Sequence, residues 1–334
     1  MARSTPTIWD VAKEAGVSIA TVSFVLNGHG DRNRISADTQ EHVRQVAERL
    51  GYVADRRAQS LRSRRAMNGI AVVFVATRVP TDFFSEIMQS ISDAAAREGW
   101  ETQFHLMNPR KPQTLAWLRG MSKAFAGAIL VGDMDEDVYR ETKDLALPIV
   151  RVGADHPDTQ KAVVRVDNFK AGRAVAGHLM ALGHKRIAVL GPARWHAPLA
   201  DRAEGVREAL RAAGLEPVAV VSNGNPDAGT VEEILKAGST ATVCLYDQLA
   251  LRFLRRAREA GVRIPAHMSL ASFDDLEWAG ELSPPLTTVH IPRLEMGEAA
   301  VGLLKRLIAG EKSLEPYVIE PQLIVRESTA PPSP

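Results

Sequence analysis

Two short helical patterns that meet at a glycine constrain this chain more than any other feature. Thr7 and Asp10 have the spacing of a capping box, a hydroxyl at the N-cap and an acid three residues later. Ile8, Val11, Ala12 and Ala15 recur at helical spacing and give a first helix its apolar face. Gly16 follows the last turn, where a left-handed residue ends a helix. Ser18 then caps a second helix, with Thr21 three residues on and Val22, Val25 and Leu26 facing inward. Its outer face is Ala20, Ser23, Phe24 and Asn27, with Ile19 beside it. A third helix is expected from Ser36 to Leu50, ended by Gly51, with Val43, Val46, Ala47 and Leu50 as its stripe. This is the layout of a helix-turn-helix, whose second helix enters a DNA major groove.

The charge distribution supports a polyanionic partner. Residues 1–66 hold 11 Lys and Arg against 7 Asp and Glu, a net of +4, while the remaining 30 and 33 give −3. The formal +1 of the whole chain therefore hides a basic head on a slightly acidic body. Five of those arginines crowd into 55–65, Asp-Arg-Arg-Ala-Gln-Ser-Leu-Arg-Ser-Arg-Arg, with one acid. Such a segment beside a helix-turn-helix suits phosphate contacts.

The remainder of the 334 residues is long enough for a sizeable core. It alternates between short apolar runs and helical periodicity. Ile70–Ala76, Gly127–Val131, Leu147–Val152, Ile187–Leu190, Val218–Val221, Thr242–Leu245 and Met268–Ser272 read as buried strands, with Phe83–Gly99 as a first helix. The expectation is α/β with parallel sheets. Residues 69–76 and 186–193 each launch a similar strand, loop and helix, so the body reads as two related lobes. Ligands gather at the carboxyl ends of strands in such sheets, here in the cleft between lobes. One cysteine, Cys244, permits no internal disulfide and suits a reducing cytoplasm. No apolar signal core follows Met1, and no run of about 18 apolar residues occurs, so neither secretion nor a membrane span is expected.

With these motifs in hand, the chain resembles the lactose-repressor (LacI/GalR) family of bacterial transcription regulators from Thr7 to about Glu327. The resemblance implies a headpiece at 1–54, a hinge helix or linker at 55–66, and a two-lobed periplasmic-binding-protein-like body at 67–330. It divides that body into an N-lobe of about 67–181 and 291–320 and a C-lobe of about 182–290 and 321–330. It assigns Thr7, Trp9, Ser18, Ile19, Ala20, Thr21, Ser23, Phe24 and Asn27 to DNA, with Ile19, Ala20 and Phe24 at the base-reading positions. Many relatives carry a polar group where Phe24 stands. These three residues offer apolar contact to thymine methyls instead, unless Phe24 folds back onto the small core. Arg32 and Arg34 lie in a loop longer than the lactose repressor's and are candidates for polar reading. In the hinge, Arg56, Ala58, Gln59 and Leu61 are carried over, with Leu61 as a wedge into the central minor-groove step.

For the effector, the resemblance points to Asp167, Arg202 and Asp274, from Asp167-Asn168, the segment 199–205 and the signature Phe273-Asp274-Asp275. Acids and a planar arginine suit neighbouring hydroxyls of a polyol. Tyr246 stands where most sugar-sensing relatives have asparagine, and Asp247 follows it. Phe83, Trp195 and Trp278 are candidates to stack on a sugar face. A structural alternative has Asp274 or Asp275 capping the next helix and Arg202 forming a salt bridge between lobes. Asp133 to Asp137 resembles a calcium loop, but Val138 stands where the turn demands glycine. His178 and His184 lack a third metal ligand, and no nucleotide loop or nucleophile elbow is present.

Together these readings describe a cytoplasmic, cofactor-free, non-enzymatic repressor. It binds a pseudo-palindromic operator as a homodimer and is released by a carbohydrate-like inducer. The Pro-rich end at 327–334 is too short for the heptad helix of tetrameric relatives. The alternatives are a corepressor-dependent regulator with a purine-like ligand and, from another class, a sugar-metabolising enzyme.

Overall fold

A computed structural model describes residues 7–26, 30–50, 69–75, 81–108, 124–132, 136–143, 145, 147–153, 162–192, 196–222, 225–312 and 314–333. The chain divides into two units, Met1–Ala66 and Met67–Pro334.

The first unit holds helices α1 (Ile8–Ala15), α2 (Ile19–Leu26) and α3 (Ala37–Leu50). Each begins where its cap demands. The Thr7 N–H and hydroxyl both donate to Asp10 Oδ2, at 2.8 and 2.7 Å. The Thr21 N–H donates to Ser18 Oγ at 3.0 Å, and the Thr39 N–H to Ser36 Oγ at 3.3 Å. Gly16 takes φ 64°, a conformation that a side chain would strain, and its backbone closes α1. Val11, Ala12, Ala15, Val22, Val25, Val43, Val46 and Ala47 form one small core.

The second unit is two sheets wound alike. The first runs β11-β5-β4-β3-β1-β2 and is parallel throughout. Its strands are β1 (Gly69–Val75), β2 (Glu101–Met107), β3 (Gly127–Gly132), β4 (Ile149–Gly153), β5 (Val163–Val166) and β11 (Tyr317–Ile319). The second runs β12-β10-β9-β8-β6-β7, parallel except where β12 pairs antiparallel with β10. It comprises β6 (Ile187–Gly191), β7 (Ala219–Ser222), β8 (Ala241–Cys244), β9 (Ser269–Asp274), β10 (Thr287–His290) and β12 (Gln322–Ile324). In each sheet the first strand lies between the second and the third, which creates a switch point where loops diverge and leave a crevice.

Helix α4 (Thr81–Arg97) packs with α10 (Arg293–Ile308) on the first sheet, and a short α5 covers Glu136–Lys143. Helices α6 (Asn168–Ala181), α7 (Ala197–Ala212), α8 (Ala228–Lys236) and α9 (Asp247–Glu259) pack with the second sheet or with each other. One lobe limit needs correcting. The sequence reading ended the N-lobe at 181, which put α6 on the first sheet. Instead α6 packs on α7, β9, β10 and β12, because its buried stripe of Ala171, Val175, Ala176 and Leu179 meets that lobe. The chain thus crosses between lobes at 166–168, 290–293 and 319–322.

Cys244 packs as a small apolar side chain in the core under β8. His184 is buried with Thr240 Oγ1, Ser269 Oγ and the Ala330 carbonyl each 2.9 Å from its ring nitrogens, and His178 meets Thr329 Oγ1. Among the described residues no helix is long and apolar enough to cross a membrane, and none group as a metal site.

Candidate functional site

In the first unit, the side chains assigned to DNA lie on the surface. Thr7, Trp9, Ser18, Ala20, Phe24, Arg32 and Arg34 are exposed, and Ile19, Thr21 and Ser23 half-buried. Phe24 is 39% exposed and is absent from the small core, so it does not fold back. The loop before α3 is pinned by buried Gln40, whose amide donates to Asp31 Oδ1 at 2.8 Å and the Ile35 carbonyl at 2.9 Å. That anchor holds the short turn Asp31–Asn33, with Arg32 and Arg34 on its outside. Asn27, Arg56, Ala58, Gln59 and Leu61 lie outside the described residues.

In the second unit, a cavity of about 910 Å³ opens at the two switch points. The carboxyl ends of β1, β3 and β4 reach it through Val75, Val131, Gly132, Val152 and Gly153. Pro192 after β6, Tyr246 after β8 and Asp274 at the end of β9 face them. Its volume falls within the range of small-ligand pockets.

The polar centre of this cavity is built by a close helix crossing. A Cβ on Gly172 would stand 2.1 Å from the Arg202 carbonyl oxygen, and one on Gly205 2.1 Å from that of Phe169. Both positions require glycine because the two backbones touch. The crossing brings Asn168, at the start of α6, against Arg202 on α7. Arg202 Nε donates to Asn168 Oδ1 at 2.9 Å. Arg202 Nη1 donates to the Leu245 carbonyl at 2.7 Å and to Asp274 Oδ1 at 2.9 Å. Arg202 is 6% exposed, and its guanidinium carbon lies 5.0 Å from the centre of the Phe273 ring. Its Nη2 makes no hydrogen bond among the described residues. The ion pair joins two elements of one lobe, so Arg202 is no salt bridge between lobes.

Asp274 and Asp275 both take left-handed backbone, φ 115° and 52°. Such strain is tolerated where the surroundings fix it. Arg293 does this, with Nη1 donating to the Asp274 carbonyl and Nη2 to that of Asp275 at 3.1 Å. Its Nη2 also reaches Glu86 Oε1 at 2.9 Å, so one buried guanidinium ties the turn to α4 in the other lobe. A second link crosses at the mouth, where Trp278 Nε1 donates to Asp82 Oδ2 at 3.2 Å. Burial raises the Asp274 carboxyl above the usual carboxylate range, and Arg202 and then Arg293 offset only part of that rise. Asp275 caps no helix. It accepts from Arg326 at 2.7 Å and lies 2.9 Å from His290 Nδ1.

Of the predicted effector residues, Phe83, Arg202, Tyr246 and Asp274 line the cavity, as does Trp278. Two others turn away. Asp167 is the N-cap of α6 and accepts from the Lys170 N–H at 2.9 Å, so its neighbour Asn168 faces the ligand space. Asp247 is fully buried beneath the wall, accepting from the Leu276 N–H at 3.0 Å and the Thr288 hydroxyl at 2.7 Å. Burial first, and then the charge of Asp274, push its carboxyl up to about 7. Trp195 lies outside the described residues. The sequence reading missed Asn168, His196, Gln248 and Arg252, all of which line the cavity. Gln248 and Arg252 are four apart on α9, a spacing that puts both on the face turned to the cleft once Tyr246 is placed there.

Comparison with known proteins agrees with this geometry. The family model for bacterial regulatory proteins of the lacI family matches residues 7–55, and that for a periplasmic binding protein-like domain matches 176–329. The chain is 30% identical to the HTH-type transcriptional regulator DegA of Bacillus subtilis, over 97% of this chain and 98% of that protein. It is 31% identical to the regulator reg1 of Streptomyces lividans, over 96% of each. Among solved structures, the lac repressor dimer bound to operator and the anti-inducer ONPF superposes with TM-score 0.77 at 26% identity, covering 98% of this chain and 100% of that one. A transcriptional regulator CelR–cellobiose complex superposes with TM-score 0.71 at 28% identity, covering 97% and 99%.

Proposed function

The chain belongs to the lacI family of bacterial regulatory proteins, and from that premise we propose a repressor that a carbohydrate-like inducer releases from its operator. The single observation that carries the reading is the Arg202–Asn168–Asp274 cluster at the crevice between lobes. A planar cation beside a carboxylate, with one nitrogen that no described residue engages, can hold neighbouring hydroxyls in paired, charge-assisted bonds. Phe83 and Trp278 supply flat apolar surface for a sugar ring. Similar solved regulators hold cellobiose or ONPF, which supports a polyol.

The protein works as a homodimer in the cytoplasm, without catalysing a reaction on its ligand. The relevant residues are Asn168, Arg202, Tyr246 and Asp274 for effector, with Phe83 against it. Trp9, Ile19, Ala20 and Phe24, together with Arg32 and Arg34, face DNA. Leu61 and its neighbours in the basic segment keep their proposed role as a minor-groove wedge. Effector binding changes how the lobes close, and a coupling of a few kcal/mol to the DNA-binding state is enough for a switch. A thermal-shift panel of mono- and disaccharides and nucleobases tests the ligand class. A sugar that raises the Tm of the parent and not of Arg202→Ala is the expected result. Stabilisation by a nucleobase alone would favour the corepressor reading, and turnover of a bound sugar would favour an enzyme.

A further inference from the structure

Helix α2 reads Ile-Ala-Thr-Val-Ser-Phe-Val-Leu and contains no charged residue and no amide. Val22 and Val25 point into the core. Ala20 and Phe24, one turn apart, are exposed, with Ile19 half-buried beside them. The Ser18 and Thr21 hydroxyls lie 2.9 Å apart and serve the cap, where the Thr21 N–H donates to Ser18 Oγ at 3.0 Å. Paired hydrogen bonds from Arg, Lys, Asn or Gln are what discriminate guanine and adenine in the major groove. The face of α2 offers none. Placed against either purine edge, Phe24 and Ile19 would strip water from polar atoms (O6 and N7 of guanine, N6 and N7 of adenine) and return no bond, which is unfavourable. The one apolar feature of a base edge in that groove is the methyl group on C5 of thymine.

We infer that the half-site positions facing α2 are read through C5-methyl groups, so that 5-methylcytosine substitutes there for thymine. This rests on the family's helix-turn-helix reading and deepens it. Thymine and 5-methylcytosine present the same methyl at the same place. They differ at the neighbouring position, O4 acceptor against N4 donor, which α2 has no paired donor and acceptor to distinguish. The specificity-determining residues are Ala20 and Phe24, with Ile19, and the consequence is an operator whose affinity responds to cytosine methylation.

The test uses the full-length protein. Binding sites are first selected from a random duplex pool. Each conserved T·A pair in the outer half-site is then replaced in turn by U·A, C·G and 5-methyl-C·G, and Kd is measured at one salt concentration. Uracil, which lacks only the methyl, should weaken binding roughly fivefold at one outer position or more, the low end of base discrimination. The 5-methylcytosine duplex should bind as tightly as the thymine duplex, and the cytosine duplex no better than the uracil one. Phe24→Ala, at an exposed position, should abolish the uracil penalty. Selected outer positions conserved as unmethylated G·C overturn the proposal. So does a neutral uracil at every outer position, or a 5-methylcytosine duplex as weak as the cytosine one. Enrichment of no sequence would overturn both this and the DNA-binding reading beneath it, and that failure is distinct from enriched sites without a methyl effect.

Discussion

The two walls of the cleft face one cavity with different chemistry, because nearly all of its polar side chains come from one of them. The first-lobe wall is Val75, Phe83, Phe84, Ile87, Val131 and Val152, with Asp82 at its rim. The second-lobe wall carries Asn168, His196, Arg202, Tyr246, Gln248, Arg252 and Asp274, set among apolar Pro192, Leu199, Leu251, Leu276 and Trp278. The difference begins in the strand ends. The first-lobe strands that reach the cavity finish in valine or glycine, whereas β9 finishes in an aspartate whose carbonyl and carboxylate are both held by arginines. Most of the directional bonds therefore come from the second lobe, whereas the first lobe offers chiefly apolar cover. Under the proposed function, the second lobe orients the ligand and the first lobe covers it. Arg293 and Trp278 join the two, so lobe movement and the polar wall are mechanically linked.

Breaking the polar wall should have the largest effect. Arg202→Ala removes a paired grip and leaves Asp274 buried without its cation, so ligand affinity should fall by about 2–5 kcal/mol in calorimetry. DNA affinity without ligand should hold, because the headpiece is untouched. Normal ligand affinity in Arg202→Ala would make the residue a strut within the lobe and end the comparison. Truncating the apolar wall should cost less. Phe83→Ala removes one large apolar contact and should weaken ligand by about 1–3 kcal/mol, with the loss carried by a faster off-rate. An equal or larger loss than from Arg202→Ala would reverse the assignment of the walls.

A pH series sharpens the picture beneath the polar wall. Because the Asp247 carboxyl is raised to about 7 by burial and by Asp274, the native chain holds a proton there that the unfolded chain loses near 3.8. Stability from this group is fully present at acidic pH and is lost as pH rises through about 7. Asp247→Asn stays neutral throughout, so its Tm relative to the parent should climb between about pH 4 and about pH 7 and level off above. Parallel Tm curves would contradict the raised value. The smallest effect belongs to Asp167→Ala. Ligand affinity should not change, and stability should drop by about 1 kcal/mol for the lost cap. A weakened ligand in that variant would restore Asp167 to the site.

Much of this organisation is legible in the residues, and the exceptions have physical causes. Caps at Thr7, Ser18 and Ser36 fix the three headpiece helices, since each satisfies backbone donors that only a helix start leaves open. Fully buried strands such as Gly127–Gly132 announce themselves as apolar runs. Strand β2 does not, because it sits at a sheet edge with exposed Phe104 and Leu106 among polar neighbours. The pairs in β11 and β12 are three residues long and carry no period of their own. At the site, Arg202 and Asp274 stand out because both belong to motif segments. Asp167 misleads because a side chain ahead of a helix can serve the cleft or its own backbone, and the cap takes it. Asp247 misleads in a related way. A first-turn residue beside a cleft can point into it or under it, and only the Leu276 and Thr288 donors decide that.

The coupling between the cleft and the headpiece is best tested by operator titration. Full-length dimer is titrated onto its selected operator at one salt concentration, with and without the sugar that raises its Tm. The account predicts that the sugar weakens operator binding at least tenfold, and that Arg202→Ala binds the same operator but ignores the sugar. Operator affinity unchanged by a sugar that demonstrably occupies the cleft would contradict it.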